Sequence, residues 1–261
     1  MGKRERYEPG IFCWVDLTTT DAAGAKAFYG GLFGWETEDT PIGESATYTM
    51  LRLDGDDIGG LYERPVDQRE QGVPPSWLSH VSVESADAVA EKARELGGEV
   101  LAEPFDVFDS GRMAIIKDSV GAAFSAWQPR EHIGAGRVND AGCLGWNELN
   151  TRDPEKASGF YAGLFGWEMD PMQDDGKLAY VLIKNSGWMN GGIMPMSEPG
   201  DAPPHWLPYF IVQSCDRAAN TIRELGGAVL VEPFEPGAGR ISIASDPQGG
   251  MFAIFEGETD E

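Results

Sequence analysis

The sequence predicts an α+β protein built from four βαβββ units in tandem, two in each half of the chain. Three observations carry that expectation. One stretch occurs twice, as Thr18–Glu36 and again as Asn150–Glu168, so that Asp21, Phe28-Tyr29 and Leu32–Glu36 return as Asp153, Phe160-Tyr161 and Leu164–Glu168. A repeat of this spacing is the length of a domain, far longer than a solenoid unit, and marks a duplication. Within each half, the order strand, helix, strands then runs twice. Finally, further matches tie the halves together: Trp77-Leu78 with Trp206-Leu207, Arg94–Gly98 with Arg223–Gly227, and Glu103–Phe105 with Glu232–Phe234.

The elements follow in order. Phe12–Thr18 is rich in β-formers and runs into Asp21, an N-cap for a helix over Ala22–Leu32 that Gly34 stops. Thr47–Leu53 alternates like a strand, and Ile58–Glu63 follows the turn at Asp54–Asp57 as another. Arg64–Pro75 reads as a polar, proline-bearing connection. The plan restarts with a strand at Trp77–Glu84 and an amphipathic helix at Ala86–Leu96, stopped by Gly97-Gly98. Strands at Glu99–Ala102, Arg112–Lys117 and Ala122–Trp127 complete the half. In the second half, strands are expected at Gly145–Asn150, Ala179–Lys184, Gly192–Met196, Trp206–Gln213, Ala228–Glu232, Arg240–Ala244 and Met251–Phe255. Its helices are expected at Pro154–Leu164 and Asp216–Leu225. The domains are therefore placed at residues 8–128 and 142–257, with 129–141, rich in Gly, Arg, Asn and Asp, as the linker.

Composition narrows the function. The chain has 261 residues, 41% of them apolar, and a net charge of −23. Such acidity argues against nucleic acid, whose phosphates call for clustered Lys and Arg, and against anionic membranes. Residues 1–10 are charged rather than apolar, and no run of eighteen apolar residues exists, so neither a signal peptide nor a membrane span is expected. Cys13, Cys143 and Cys215 lack metal-like spacing and read as reduced, buried thiols of a cytoplasmic protein.

The D-x-x-x-A-x-x-F-Y-x-x-L-F-G-W helix, the E-L-G-G helix end and the D-x-x-G turns at Asp118–Gly121 and Asp246–Gly249 resemble the vicinal oxygen chelate superfamily, which comprises glyoxalases, bleomycin-resistance proteins and extradiol dioxygenases. The W-x-E-L start of the second half resembles a tandem-domain actinobacterial subgroup labelled glyoxalase-like or hydroxylase. The resemblance implies two glyoxalase-like domains, with a cleft formed by each pair of units. A unit can pair with its sequence neighbour or with a unit of the other half. It also implies where metal ligands would lie, and those positions hold Trp14, His80 and Ser125 in the first half, Trp146, Tyr209 and Ala253 in the second, with Gly60 and Gly192 near the fourth. A metal needs three or four converging O, N or S donors, and only His80 is a good one. No cofactor or metal is therefore expected.

Strand alternation sorts the cleft residues. With Trp14 facing inward, Phe12, Asp16 and Thr18 join it, while Cys13, Val15 and Leu17 pack on the helix. Trp146, Glu148 and Asn150 face inward in the second half. Asp16 with His80, and Glu148 with Tyr209, are the candidate acid–base pairs, because a carboxylate within hydrogen-bond reach orients a ring for proton transfer. Ordinary hydrogen-bonded strand residues would look the same. Ser125 and Trp127 are expected to line the first cleft. Trp77 and Trp206 stand either at the cleft mouths, binding ligand, or in the core. Trp35, Trp167, His132 and His205 are expected to be structural or solvent-facing. Aromatic clefts poor in metal ligands favour a small-molecule binding or sequestering protein, acting as a monomer or weak homodimer. The alternatives are a glyoxalase-like lyase, isomerase or hydroxylase working on a small carbonyl compound without the usual metal ligands, or a metal enzyme whose ligands lie elsewhere.

Overall fold

The computed structural model describes residues 2–43, 46–64, 73–197, 202–237 and 239–259; most of the expected 64–75 connection lies outside them. The first half contains β1 (Phe12–Thr19), α1 (Ala22–Phe33), β2 (Glu36–Ile42), β3 (Ala46–Leu53) and β4 (Asp56–Glu63). It continues with β5 (Ser76–Ser82), α2 (Ala86–Glu95), β6 (Glu99–Val107), β7 (Gly111–Lys117) and β8 (Ala123–Pro129). The second half repeats the order: β9 (Leu144–Thr151), α3 (Pro154–Phe165), β10 (Glu168–Asp174), β11 (Lys177–Asn185), β12 (Trp188–Pro195), β13 (His205–Ile211), α4 (Cys215–Glu224), β14 (Ala228–Phe234), β15 (Arg240–Ser245) and β16 (Met251–Glu256).

The helix signals act as expected. Asp21 and Asp153 cap α1 and α3, accepting from the amides of Gly24 and Lys156, and Gly34 and Gly166 end those helices in the left-handed conformation that glycine adopts without strain. Two strands were not legible. β2 (E-T-E-D-T-P-I) and β10 (E-M-D-P-M-Q-D) are almost entirely exposed edge strands, so neither carries the alternation that burial of one face imposes.

Each half forms one eight-stranded sheet, in the orders β2-β3-β4-β1-β5-β8-β7-β6 and β10-β11-β12-β9-β13-β16-β15-β14. The central antiparallel pairs β1–β5 and β9–β13 join sequence neighbours, which settles the pairing of units for the clefts. The apolar cores pair units differently. One core combines the second and third units, packing Phe124 and Ala126 of β8 with Phe160 and Tyr161 of α3. The other combines the first and fourth, packing Phe28 and Tyr29 of α1 with Phe252 and Ile254 of β16. Sheets thus close within halves and cores close across them.

The D-x-x-G turns sit at this junction. One oxygen of Asp118 accepts from the backbone N–H groups of Val120, Gly121 and Ala122, while the other accepts from Tyr161 Oη of the opposite half at 2.8 Å. Asp246 does the same for Gln248 and Gly250, and takes Tyr29 Oη at 3.0 Å. Each tyrosine hydroxyl in turn accepts from an indole, Trp206 Nε1 at 2.8 Å and Trp77 Nε1 at 3.2 Å. Trp77 and Trp206 are therefore core anchors. Their place in the ligand-binding set is corrected, because both indoles point to the helix side of the sheet and are spent on buried tyrosines.

Tyr29→Phe or Tyr161→Phe leaves a buried carboxylate oxygen and an indole N–H without their partner. Each should lower unfolding stability by about 1–3 kcal/mol, read from urea midpoints at unchanged slope.

Candidate functional site

Register determines what the concave faces carry. Across the first sheet, Trp14 pairs with His80, His80 with Ser125 and Ser125 with Ile115. One step along, Met50 pairs with Gly60, Gly60 with Asp16 and Asp16 with Leu78. The second sheet repeats the pattern as Trp146–Tyr209–Ala253–Ile243 and Leu182–Gly192–Glu148–Leu207. All four candidate acid–base residues and Trp14, Ser125, Trp127 and Trp146 thus lie on the concave faces. Phe12 does not. A bulge between Phe12 and Trp14 breaks the alternation, so Phe12 packs in the core against Trp167 and Trp206 while Cys13 joins Trp14 and Trp127.

Both clefts share a carboxylate–indole–phenol constellation. Trp14 Nε1 donates to Asp16 Oδ1 and Tyr48 Oη, each at 3.0 Å, and Tyr48 Oη donates to Asp16 Oδ1 at 2.6 Å. Trp146 Nε1 donates to Tyr180 Oη at 3.0 Å, and Tyr209 Oη donates to Glu148 Oε1 at 2.8 Å. Tyr48 and Tyr180 escaped notice in the sequence because they lie far from their partners along the chain; their shared 132-residue spacing was the available signal. The glycines explain how they fit. A Cβ on Gly60 would lie 1.9 Å from Tyr48 Oη, and one on Gly192 1.9 Å from Tyr180 Oη. Each hydroxyl fills the space that a side chain would need there.

The fourth wall differs. In the first cleft His80 Nε2 stands 3.0 Å from Asp16 Oδ2, too poorly aligned to count as a hydrogen bond. Burial pushes the Asp16 carboxyl up, but the adjacent His80 imidazole and hydrogen bonds from Tyr48 and Trp14 outweigh it and hold the group below its ordinary value of 3.8. In the second cleft a phenol, Tyr209, replaces the imidazole. Burial there raises the Glu148 carboxyl above its ordinary 4.5, only partly offset by hydrogen bonds from Tyr209, Tyr180 and Asn150.

The first cleft is also roofed. His132, expected in solvent, stacks edge-on against Trp14 at 4.7 Å between ring centroids and against Trp127 at 6.1 Å, and its carbonyl accepts from Trp127 Nε1. Burial lowers its imidazole below the usual 6.5. Ala135 and Val138 complete the cover, with Tyr7 donating to the Ala135 carbonyl at 2.7 Å. The second cleft stays open, with Trp146, Ile241, Ile243 and Phe255 only half-buried. By register Met172, Val231 and Phe234 extend the same face at 56%, 38% and 42% exposure.

A metal ion fits neither cleft. The superfamily ligand positions do converge, but they offer one imidazole and one hydroxyl in the first half and one phenol in the second. Among the described residues no three His, Cys, Asp or Glu side chains lie close enough to hold a metal.

Comparison with known proteins agrees with this architecture. The family model of the glyoxalase/bleomycin resistance protein/dioxygenase superfamily matches residues 11–125, and that of the glyoxalase-like domain matches residues 147–255. Over 98% of both chains the sequence is 40% identical to CFP32 of Mycobacterium bovis, a provisionally named glyoxylase. The chain belongs to the glyoxalase/bleomycin resistance/dioxygenase superfamily. It is 32% identical to the anthracycline biosynthesis protein DauV of a Streptomyces species, covering 96% of this chain and 94% of the relative. Two solved structures share the fold at low identity. The Mn(II)-bound glyoxalase of Novosphingobium aromaticivorans has a TM-score of 0.65 and 16% identity, covering 97% of this chain and 85% of its own. The 2,3-dioxygenase LapB of a Pseudomonas species has a TM-score of 0.67 and 12% identity, covering 97% and 94%.

The two carboxylates should leave opposite signatures in stability. Asp16, lowered in the folded state, contributes stability above its unfolded value that is lost as pH falls through its folded value. Glu148, raised when folded, does the reverse: its contribution is present below 4.5 and lost as pH rises. Asp16→Asn should therefore destabilise at pH 7 by a margin that shrinks in acid. Glu148→Gln should be neutral or stabilising at pH 7, with no advantage below 4.5. Chemical denaturation of both variants at the two pH values checks the pair.

Proposed function

We propose that this is a small-molecule binding protein of the glyoxalase/bleomycin-resistance type, taking an apolar, aromatic ligand in its second cleft without a resident metal. The observation that carries the proposal is that Trp146 and Phe255 are only half-buried where their first-cleft counterparts Trp14 and Trp127 are 4% and 7% exposed, with Met172, Val231 and Phe234 exposed farther out on the same face. Val231 and Phe234 stand at one edge of that face and Met172 at the other, and exposed apolar side chains around a few placed polar groups are what a ligand site requires. Glu148, Tyr209 and Tyr180 provide those polar groups at the floor. The relative named for anthracycline biosynthesis supports a flat aromatic ligand. The cover that His132 lays over the first cleft favours the second as the ligand site.

A second reading has one observation in its favour. The His80–Asp16 contact is an acid–base pair, suited to a metal-free lyase, isomerase or hydroxylase acting on a small carbonyl compound. It has to operate beneath the His132 roof, which is why the open cleft is preferred.

Calorimetry with acridine, a flat tricycle uncharged at neutral pH, separates the two. In the binding reading Trp146→Ala weakens acridine by about tenfold or more, the loss of a large aromatic wall, while His80→Ala leaves affinity unchanged. Unchanged acridine affinity in Trp146→Ala, or a loss confined to His80→Ala, would overturn the assignment.

A further inference from the structure

The duplication supplies an internal control for the chemistry of the open cleft. Each cleft places one carboxylate at the same register position, beside a glycine and under an indole and a phenol. In the first, the chain itself supplies a basic partner, since His80 Nε2 stands 3.0 Å from Asp16 Oδ2. Among the described residues the second has no such partner. Glu148 is 6% exposed, and its hydrogen bonds come from two phenols, Tyr209 Oη at 2.8 Å and Tyr180, and from an amide, Asn150 Nδ2 at 3.4 Å.

Among the described residues, the elements packed around Glu148 bring no cation either. On its own strand stand Trp146 and Asn150; β11 brings Tyr180, β12 brings Gly192, and β13 brings Leu207 and Tyr209. By register the basic side chain closest on this face is His205, opposite Asn150, and its Nδ1 is directed to the Pro203 carbonyl at 2.9 Å. A carboxylate removed from water needs a compensating charge or a proton. Aromatic side chains stand beside it instead: Tyr209 and Tyr180 hydrogen-bond the carboxylate and Trp146 donates to Tyr180, aromatic company in which a desolvated organic cation is well held.

We infer that the ligand of the second cleft is a monocation with an apolar body, its positive charge set against Glu148 among Trp146, Tyr180 and Tyr209. The inference rests on the binding reading above and narrows it from aromatic molecules in general to protonated amines or quaternary ammonium compounds. The ligand then occupies the electrostatic place that His80 holds in the first cleft. Because burial favours the protonated carboxyl in the empty cleft, arrival of the cation expels that proton, and binding weakens as pH falls.

The experiment compares acridine with its N-methyl cation, two tricycles of nearly the same shape, by calorimetry at neutral pH and physiological ionic strength, where long-range attraction to the acidic protein is screened. The wild-type protein is expected to bind the cation about tenfold tighter than acridine. Glu148→Gln should abolish that preference by weakening the cation alone. Tyr209→His gives the second cleft the basic partner of the first and should also reduce the preference. A wild-type protein that binds both probes equally, or a preference that survives Glu148→Gln, overturns the inference while leaving the binding reading intact. If Trp146→Ala leaves acridine affinity untouched, the binding site itself is wrong.

Discussion

The structure depends on two buried aspartates, each of which closes a turn in one half and holds a tyrosine of the other. Asp118 and Asp246 each satisfy two or three backbone N–H groups with one oxygen, leaving the second free to accept a phenol across the junction. Burial raises both carboxyls, offset in part by those same donors. A buried carboxyl tolerates this place only because every lone pair has a use. The arrangement also orders the aromatic core, since Tyr29 and Tyr161 stack on Trp35 and Trp167 and accept from Trp77 and Trp206. Helices and cores are thus fixed between the two sheets, and the opposite, concave faces are left to function.

Duplication then allowed the two faces to diverge within a shared frame. Trp14, Asp16 and Tyr48 have counterparts in Trp146, Glu148 and Tyr180, and the glycine that admits the phenol is present in both. The changes are few: His80 becomes Tyr209, Ser125 becomes Ala253 and Trp127 becomes Phe255, each at a matched register position. They give the first cleft an imidazole beside its carboxylate and the second a phenol. The linker adds the final difference by laying His132 over Trp14 and Trp127. One cleft is consequently filled by the chain, and the other is left open.

Much of this was legible in the sequence, for identifiable reasons. The repeat gave the duplication, Asp21 and Gly34 bounded the first helix, and alternation placed Trp14, Asp16 and His80 on one face, because each signal is local and has a mechanical cause. The misreadings arose where the cause was not local. A bulge shifts alternation without leaving a mark in composition, so Phe12 and Cys13 exchanged faces. Trp77 and Trp206 follow prolines at a strand start, and only the tyrosines of distant helices decide that their indoles turn to the core. His132 lies in a polar segment whose fold is set by what it covers. β2 and β10 lacked a pattern because they lack a buried face.

The glycines at 60 and 192 connect these points to the chemistry of the superfamily. They occupy the strand position at which the resemblance implies an acidic metal ligand, and the volume above each is taken by a tyrosine hydroxyl bound to the neighbouring indole. Restoring an acid there would require that phenol to leave, and in the first cleft the phenol is hydrogen-bonded to the carboxylate one strand away. An acid at these positions and the phenol that fills them therefore exclude one another. Each cleft carries a fixed acid one strand away, with an imidazole of the chain beside it in one half and a phenol in the other.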